Sequence, residues 1–306
     1  MDHIISARQF NTARLNEIFN ATDQIRYDLD TEPRELAMRH LSKRVITLFY
    51  EPSTRTRLSF ESAAHAIGAG VISTENAGEF SSAIKNETLE DTIKTVANYG
   101  HVIIMRHGDD DSAERAALVS EVPVINAGAG KNEHPTQALL DLYTILKTTG
   151  QLEHLNVVIG GDLKHGRTAR SLAQLLSLYP FNKLTFVSTP DLQIEDDITR
   201  QLTAHGTEYS LTDDLHSALP DADVVYWTRL QTERMQDKSI MSHFSIGQSE
   251  LAIMKDDSTI MHPLPRVNEI DPSVDNDPRA RYFDQVKYGF YLRAALLDGI
   301  LKSPNV

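Results

Sequence analysis

Cysteine is absent from the 306-residue sequence. Its absence excludes disulfide bonds, thiolate zinc sites and a thiol nucleophile. No apolar run approaches the ~20 residues that a membrane helix requires. The N-terminus, MDHIISARQF, lacks the cationic stretch and apolar core of a secretory signal. We therefore expect a cytoplasmic protein that has no membrane partner.

An excess of basic residues is also missing. The net charge of -13 argues against a nucleic-acid partner, because a phosphate-binding surface normally carries a basic excess. The 41% apolar and 24% charged residues are ordinary for a globular protein. The length suggests two domains of roughly 150 residues each. In such an acidic chain, a local cluster of arginines indicates a specific site rather than a diffuse basic surface.

Short β-branched runs alternate with helical patterns over most of the chain. This alternation predicts an α/β fold with two domains, each a mostly parallel sheet flanked by helices. A helix from His134 to Gly150 is expected to bridge the domains, and a last helix is expected near 284–301. The predicted strands are RVITLFY (44–50), VIST (71–74), HVIIM (101–105) and PVINA (123–127), then LNVVIGG, KLTFVS, ADVVYWT and STIMH.

Polar donors follow five of these strands, where open parallel sheets bind their ligands. The donors are STRTR (53–57), Arg106, the segment GDLKHGRTARS with Arg167, then Arg229, and HPLPR (262–266). Arginine and hydroxyl groups at a helix start suit an anion, because the backbone N–H groups and the helix dipole add to them. In the alternative interpretation, Ser53 is a plain N-cap and the arginines form surface ion pairs.

Three further patterns suggest contacts to carbonyl or carboxylate groups. His134 and Gln137 lie three apart on one helix face and could hold a carbonyl oxygen, or they could be a capping histidine and a surface glutamine. Arg229 and Gln231 point the same way and suit a carboxylate, unless both are solvated. The two prolines around Leu264 nearly fix its backbone, so a carbonyl held there could orient a ligand, or the prolines could simply end a strand.

Two kinds of site are not expected. The glycines at 160, 161 and 166 do not form the G-x-G-x-x-G fingerprint of dinucleotide binding. His101 and His107 lie on either side of a strand, which is a poor arrangement for a metal. We therefore predict neither a metal nor a cofactor.

Taken in order, the segments FYEPSTRTR, HPTQ, GDLKHGRTARS, TRLQTER and HPLPR resemble the catalytic chains of the aspartate carbamoyltransferase family along nearly the whole sequence. STRTR and HPTQ are shared by all carbamoyltransferases. HPLPR discriminates, because ornithine carbamoyltransferases typically carry His-Cys-Leu-Pro where this chain has Pro263.

The resemblance implies a carbamoyl phosphate-binding domain at 1–134, with the C-terminal helix 289–306 packed back on it, and an aspartate-binding domain at 135–288. It implies phosphate contacts from Ser53, Thr54, Arg55 and Thr56, and contacts to the carbamoyl group from Arg106, His134 and Gln137. The aspartate contacts that it implies are Arg167, Arg229, Gln231, Pro263 and Leu264.

The resemblance also implies a homotrimer whose sites are shared between neighbouring chains. Ser81 and Lys85 of FSSAIKNETL would be contributed by the neighbour to the carbamoyl phosphate site, with Lys85 also reaching aspartate. Asn86 stands where relatives often have glycine, and asparagine is the next most tolerant residue for a positive φ. Association with regulatory chains is compatible with the resemblance.

The expected reaction is transfer of the carbamoyl group from carbamoyl phosphate to the amine of L-aspartate, as in pyrimidine biosynthesis, without a covalent enzyme intermediate. Arg57 is expected to brace the loop by pairing with an acidic neighbour. Two rivals are a carbamoyltransferase for another amine such as ornithine, and a catalytically silent anion-binding relative. A cationic acceptor would need acidic partners, whereas Arg167 and Arg229 are basic.

Overall fold

A computed structural model describes residues 3–77, 87–130, 133–229 and 244–303. The chain divides into two compact units, one made of Met1–Leu139 with Lys287–Val306 and the other of Leu140–Val286. Both divisions fall inside helices, namely Pro135–Thr149 and Tyr282–Leu301. The chain therefore passes between the units through helices, as predicted.

The first unit contains a parallel four-stranded sheet of order β2-β1-β3-β4. Residues Val45–Phe49 are all buried, which is the pattern of a strand covered on both faces. The strands are β1 (Arg44–Phe49), β2 (Gly70–Thr74), β3 (Val102–His107) and β4 (Val124–Ala129). The helices are α1 (Thr12–Thr31), α2 (Pro33–Leu36), α3 (Thr54–Ala66), α4 (Leu89–Ala97), α5 (Ser112–Val119) and the start of α6 (Pro135–Thr149), with a short 3-10 turn at Ala7–Gln9.

The second unit contains a parallel five-stranded sheet of order β7-β6-β5-β8-β9. Its strands are β5 (Asn156–Gly160), β6 (Lys183–Val187), β7 (Glu208–Thr212), β8 (Val224–Trp227) and β9 (Thr259–Met261). Its helices are α7 (Arg167–Leu176), α8 (Asp196–Ala204), α9 (Leu215–Ala218), α10 (Gln248–Leu251) and the start of α11 (Tyr282–Leu301), with 3-10 turns at Pro190–Leu192 and Pro272–Asn276. The two sheets confirm the predicted fold class.

Helix α1 and strand β7 are among the elements that the sequence analysis did not predict. Helix α1 buries Leu15, Ile18, Phe19 and Ile25, which follow helical spacing and could have revealed it. Strand β7 is an edge strand with mostly exposed side chains, so it lacks the apolar run that marks a buried strand.

The strand order determines which loops share an edge of each sheet. In the first unit β1, β3 and β4 are successive neighbours, so the segments that follow them lie side by side at their carboxyl ends. In the second unit β5, β8 and β9 are successive neighbours in the same way. Every motif predicted for a strand end lies at the end of one of these six strands or after it, with Arg106 still inside β3. Among the helices of the described ranges, none has the length and apolarity needed to span a membrane.

Candidate active site

The STRTR segment begins α3 in the first unit, directly after β1. Ser53 occupies the N-cap position with φ -156° and ψ 81°, but its side chain makes no capping hydrogen bond. Instead, the Ser53 hydroxyl accepts a hydrogen bond of 3.3 Å from Nη1 of Arg106, which lies on the neighbouring strand β3. Ser53 is therefore more than a plain N-cap, because its hydroxyl meets an arginine from another motif.

Two guanidinium groups meet beside this serine. Burial lowers the pKa of Arg106, and Glu51, whose carboxylate oxygen lies 3.4 Å from Nε, opposes that shift only in part. Partial burial and the charge of Arg106 lower the pKa of Arg55. A lowered arginine pKa means that the surroundings disfavour another positive charge. A bound anion would offset the burial of both guanidinium groups and the charge of Arg106 near Arg55, so this corner of the first unit is suited to phosphate.

Arg57 has a different environment from Arg55. Its guanidinium donates to Glu61 at 3.4 Å, to the Ser73 hydroxyl at 3.0 Å and to Glu75 at 3.0 Å. These contacts join α3 to β2 and the residues after it, which confirms the predicted bracing role. Ser53 also donates its backbone N–H to Glu75, at 3.4 Å. The brace therefore extends to the anion-binding segment itself.

The remaining hydroxyls of the segment differ in exposure. Thr54 is exposed, whereas Thr56 is 8% exposed on the inner face of α3. Each helical position is rotated by about 100° from the one before it, so residues two positions apart, such as Thr54 and Thr56, face nearly opposite directions. Thr54 is accessible to a ligand from solvent.

His134 and Gln137 lie at the start of α6, following β4. His134 is 4% exposed, and its backbone carbonyl accepts from the N–H groups of Gln137 and Ala138 at 3.0 and 3.1 Å. The preceding Glu133 accepts from the Ser6 hydroxyl and from the Ala7 N–H, at 2.7 and 2.6 Å. The N-terminal segment thereby anchors the residue next to His134.

Arg167 and Arg229 follow neighbouring strands of the second unit. Arg167 is the first residue of α7, in the loop after β5, and both arginines are half-buried. Asp162 shapes the loop before Arg167 by accepting the His165 N–H at 3.0 Å. Thr228, next to Arg229, donates its hydroxyl to the Gly160 carbonyl at 2.9 Å. The two arginines therefore lie at the same edge of the sheet, as their positions after neighbouring parallel strands indicated.

The HPLPR segment follows β9 at the same edge. Leu264 has a φ of +51°, and the peptide bond that follows it is cis. A positive φ is uncommon for a branched side chain, so surrounding contacts must hold it. The Leu264 N–H donates to Nδ1 of His262 at 2.8 Å. The backbone of this segment is fixed by a side chain as well as by its prolines.

Three predicted site residues, Ser81, Lys85 and Gln231, lie outside the described residues. Conversely, three supporting residues were not predicted from the sequence: Glu51 contacts Arg106, His262 contacts Leu264, and Glu269 contacts His262. The signal for Glu51 and His262 was their position, because both lie inside motifs that were already singled out. Glu269 is three residues past HPLPR and carried no such signal.

The comparisons with known proteins agree with this geometry. Residues 2–147 match the model of the aspartate/ornithine carbamoyltransferase carbamoyl-P binding domain, and residues 153–300 match that of the Asp/Orn binding domain. Aspartate carbamoyltransferase 1, chloroplastic, of Pisum sativum is 46% identical and covers 98% of this chain and 79% of its own. The aspartate carbamoyltransferase catalytic subunit of Vibrio cholerae is 41% identical over 98% of this chain and 96% of its own.

Two solved structures of aspartate transcarbamoylases are also similar to this chain. The catalytic subunit of aspartate transcarbamoylase from M. jannaschii has a TM-score of 0.92 and 39% identity, covering 99% of this chain and 98% of its own. The Trypanosoma cruzi aspartate transcarbamoylase in complex with N-(phosphonacetyl)-L-aspartic acid has a TM-score of 0.91 and 34% identity, with 98% and 95% coverage. With both domain models and near-complete relatives matched, the chain belongs to the aspartate/ornithine carbamoyltransferase family and is an enzyme of its aspartate carbamoyltransferase branch.

Proposed function

We propose that this enzyme transfers the carbamoyl group of carbamoyl phosphate to the α-amine of L-aspartate, giving N-carbamoyl-L-aspartate and phosphate for pyrimidine biosynthesis. The observation that carries the proposal is the cluster of Ser53, Arg55 and Arg106. The Ser53 hydroxyl accepts a hydrogen bond from Arg106 at 3.3 Å, and burial together with the charge of Arg106 lowers the pKa of Arg55. Such a cluster favours a phosphate-sized anion.

In this proposal the first unit binds carbamoyl phosphate. Ser53, Thr54, Arg55 and Thr56 hold the phosphate, supported by the start of α3, where backbone N–H groups are unpaired within the helix. Arg106, His134 and Gln137 hold the carbamoyl group, with Arg106 also near the phosphate. The strand order supports this assignment, because β3, which carries Arg106, lies between β1, which precedes STRTR, and β4, which precedes His134.

The second unit binds L-aspartate. Arg167 and Arg229, together with Gln231, hold its two carboxylates, since guanidinium groups match carboxylates in charge and geometry. The backbone of Pro263 and Leu264 faces the reacting amine. Two arginines at adjacent strand ends disfavour ornithine, whose side chain is a cation.

The chemistry depends on positioning and charge. The neutral amine attacks the carbamoyl carbon, and negative charge develops on the carbamoyl oxygen as a tetrahedral intermediate forms. Thr56, Arg106 and His134 stabilise that oxygen, while Arg55 and Lys85 stabilise the departing phosphate. Loss of one such donor typically lowers the rate by about 10² to 10³-fold. The departing phosphate accepts the amine proton, and the C–O bond to it breaks as the intermediate collapses.

The catalytic assembly is a homotrimer in which Ser81 and Lys85 of one chain complete the site of its neighbour. Several large apolar side chains of the first unit are exposed and could be covered by a neighbouring chain. Leu58 on α3 and Ile72 on the edge strand β2 are 50% and 42% exposed, and Met38 and Leu41 are 60% and 70% exposed. Mixing the inactive variants Arg55→Ala and Lys85→Ala should restore activity in hybrid trimers. Absence of recovery in hybrids shown to have formed would contradict a shared site.

We further propose that the enzyme works in the cytoplasm without a cofactor. The plant relatives, by contrast, are named as chloroplastic. The trimer could also bind separate regulatory chains, since the Vibrio cholerae relative is named a catalytic subunit. Fractionation of the native host and the mass of the native complex test these two statements.

A colorimetric assay for ureido products tests the reaction. Carbamoyl phosphate is incubated with L-aspartate, with L-ornithine or with neither amine. We expect product with aspartate at millimolar concentration and none above background with ornithine. Product with ornithine alone would identify a different acceptor, and no product with either amine would favour a silent relative.

A further inference from the structure

The backbone at Leu264 needs an explanation that its own sequence does not supply. Its φ of +51° lies in the left-handed region, which costs a non-glycine residue roughly 1 to 2 kcal/mol. Pro263 and Pro265 restrict their own φ angles but do not favour a positive φ at the residue between them. Contacts other than those of the two prolines must therefore stabilise this conformation.

His262 provides the first of these contacts. Its ring is buried, with 1% exposure, and Nδ1 accepts the Leu264 N–H at 2.8 Å. Because Nδ1 is an acceptor, the ring hydrogen is on Nε2. Nε2 lies 3.0 Å from Oε1 of Glu269 and donates to it. The ring is neutral, with its tautomer fixed by a contact on each side.

Glu269 also contacts the backbone just past the other end of the segment. Its second oxygen, Oε2, accepts the N–H groups of Val267 and Asn268, each at 3.0 Å. Burial tends to raise the pKa of Glu269, but the bonds from His262 and the backbone outweigh it and lower the pKa. The carboxylate therefore stays ionised and remains an acceptor for all three donors.

Gln285 on α11 anchors His262 from behind. It accepts the His262 backbone N–H at 3.0 Å and donates through Nε2 to Oδ1 of Asp141 at 2.6 Å. The other oxygen of Asp141, Oδ2, accepts the Tyr226 hydroxyl at 2.7 Å. These buried bonds connect HPLPR to α6, α11 and β8, all within the second unit.

We propose that His262 is a positioning residue for the acceptor amine: its neutral ring, fixed by Glu269, holds the Leu264 backbone in the conformation that presents the Pro263–Leu264 carbonyl groups to aspartate. This inference rests on the proposed function, in which that backbone faces the amine. Both ring nitrogens are already used in hydrogen bonds, so His262 acts through the backbone and not as a proton acceptor.

The test compares three substitutions of His262. His262→Ala and His262→Phe remove both ring contacts, and we expect each to raise the aspartate KM by about 10-fold or more and to lower kcat, since small misplacements are costly. His262→Asn keeps an acceptor near the position of Nδ1, so it should recover part of the aspartate KM. Binding of inorganic phosphate, measured by calorimetry, should stay within about 2-fold of wild type because its site is in the first unit.

A matched control is available in the first unit. His40 is 5% exposed, and its Nε2 lies 2.9 Å from Oδ1 of Asp298, so it forms a similar buried histidine–carboxylate pair. His40→Asn should lower the melting temperature to a similar degree while leaving the aspartate KM unchanged. The comparison separates a general loss of stability from loss of positioning.

Glu269→Gln decides the matter if the His262 variants do not fold. The amide keeps one acceptor but loses at least one of the three hydrogen bonds, so we expect a smaller rise of the aspartate KM, about 3-fold, with phosphate binding preserved. An unchanged aspartate KM in a folded His262→Ala, or in Glu269→Gln, would overturn the inference. Failure of the wild-type enzyme to use aspartate at all would instead refute the proposed function.

Discussion

Arg55 and Arg57 are two positions apart, yet the structure predicts opposite consequences for their removal. Arg55 lies near Arg106, and partial burial and the Arg106 charge both lower its pKa. The Arg57 guanidinium donates hydrogen bonds to the carboxylates of Glu61 and Glu75. Arg55→Ala should therefore abolish phosphate binding without destabilising the fold. Arg57→Ala should destabilise the fold and affect phosphate binding less.

The sign of each effect follows from the charges. A folded-state pKa below the unfolded value means that folding disfavours the charged arginine, so replacing Arg55 by a neutral residue should leave the free energy of unfolding unchanged or slightly higher. Removing Arg57 breaks hydrogen bonds between charged groups. The side chains of Arg57 and Glu61 are only 23% and 17% exposed. The expected loss is roughly 1 to 3 kcal/mol, or about 2 to 4 °C in melting temperature per kcal/mol.

Thermal melts with and without inorganic phosphate measure both quantities together. The wild-type enzyme should be stabilised by phosphate, because a ligand that binds only the folded state raises its stability. Arg55→Ala should melt at the wild-type temperature without phosphate and show no shift with it. Arg57→Ala should melt lower and keep the shift. The reasoning is refuted if Arg55→Ala is the less stable variant and still responds to phosphate.

Three further predictions concern stability. Tyr226→Phe leaves Oδ2 of Asp141 without the tyrosine donor and should cost about 1 to 3 kcal/mol in urea unfolding; an unchanged midpoint would show that this bond contributes nothing. Burial lowers the pKa of His107 below its ordinary 6.5, so the stability that it contributes is present above pH 6.5 and is lost as the pH falls. His107→Asn should therefore flatten the fall in stability below pH 6.5, and an equally steep fall would contradict this. Gly161→Ala should cost about 2 to 5 kcal/mol, because φ is +110° and the new Cβ would lie 2.3 Å from a backbone oxygen just past β8. Gly206→Ala, at φ +71° in open space, should cost only the backbone strain, and equal losses for the two would exclude a steric cause.

The sequence predicted the sheets and the positions of the motifs because both depend on short-range patterns. Residues 45–49 are apolar except for Thr47 over a strand's length, and Pro135 and Gly150 mark the ends of a helix. Motifs at strand ends then meet because parallel neighbouring strands end at a common edge. The contact between Ser53 and Arg106 joins residues 53 positions apart. Spacing could not predict that hydrogen bond, although the strand order explains it.

The supporting residues were unpredictable for a related reason. Glu269, Gln285 and Asp141 support HPLPR through side chains whose partners lie 7, 23 and 144 positions away. No periodicity links them. A buried polar residue needs partners, but the sequence shows neither its burial nor their identity. The resemblance identified residues expected to touch the substrates and left out those that fix them.

Two histidines that lie close in sequence to the predicted site residues Arg106 and Leu264 bear on where the amine proton goes. His262 uses Nδ1 to accept from Leu264 and Nε2 to donate to Glu269, so it has no site left for a proton. His107, at the end of β3, accepts the Asp109 N–H through Nδ1 at 3.0 Å, and burial lowers its pKa. A base must be able to accept the proton in its own hydrogen-bonding geometry. Neither histidine meets that condition without breaking a contact, whereas the departing phosphate acquires negative charge as the amine acquires its proton. The proposal that phosphate accepts the proton follows from this matching of charges, and it explains why the site can consist of donors: the substrate itself supplies the base.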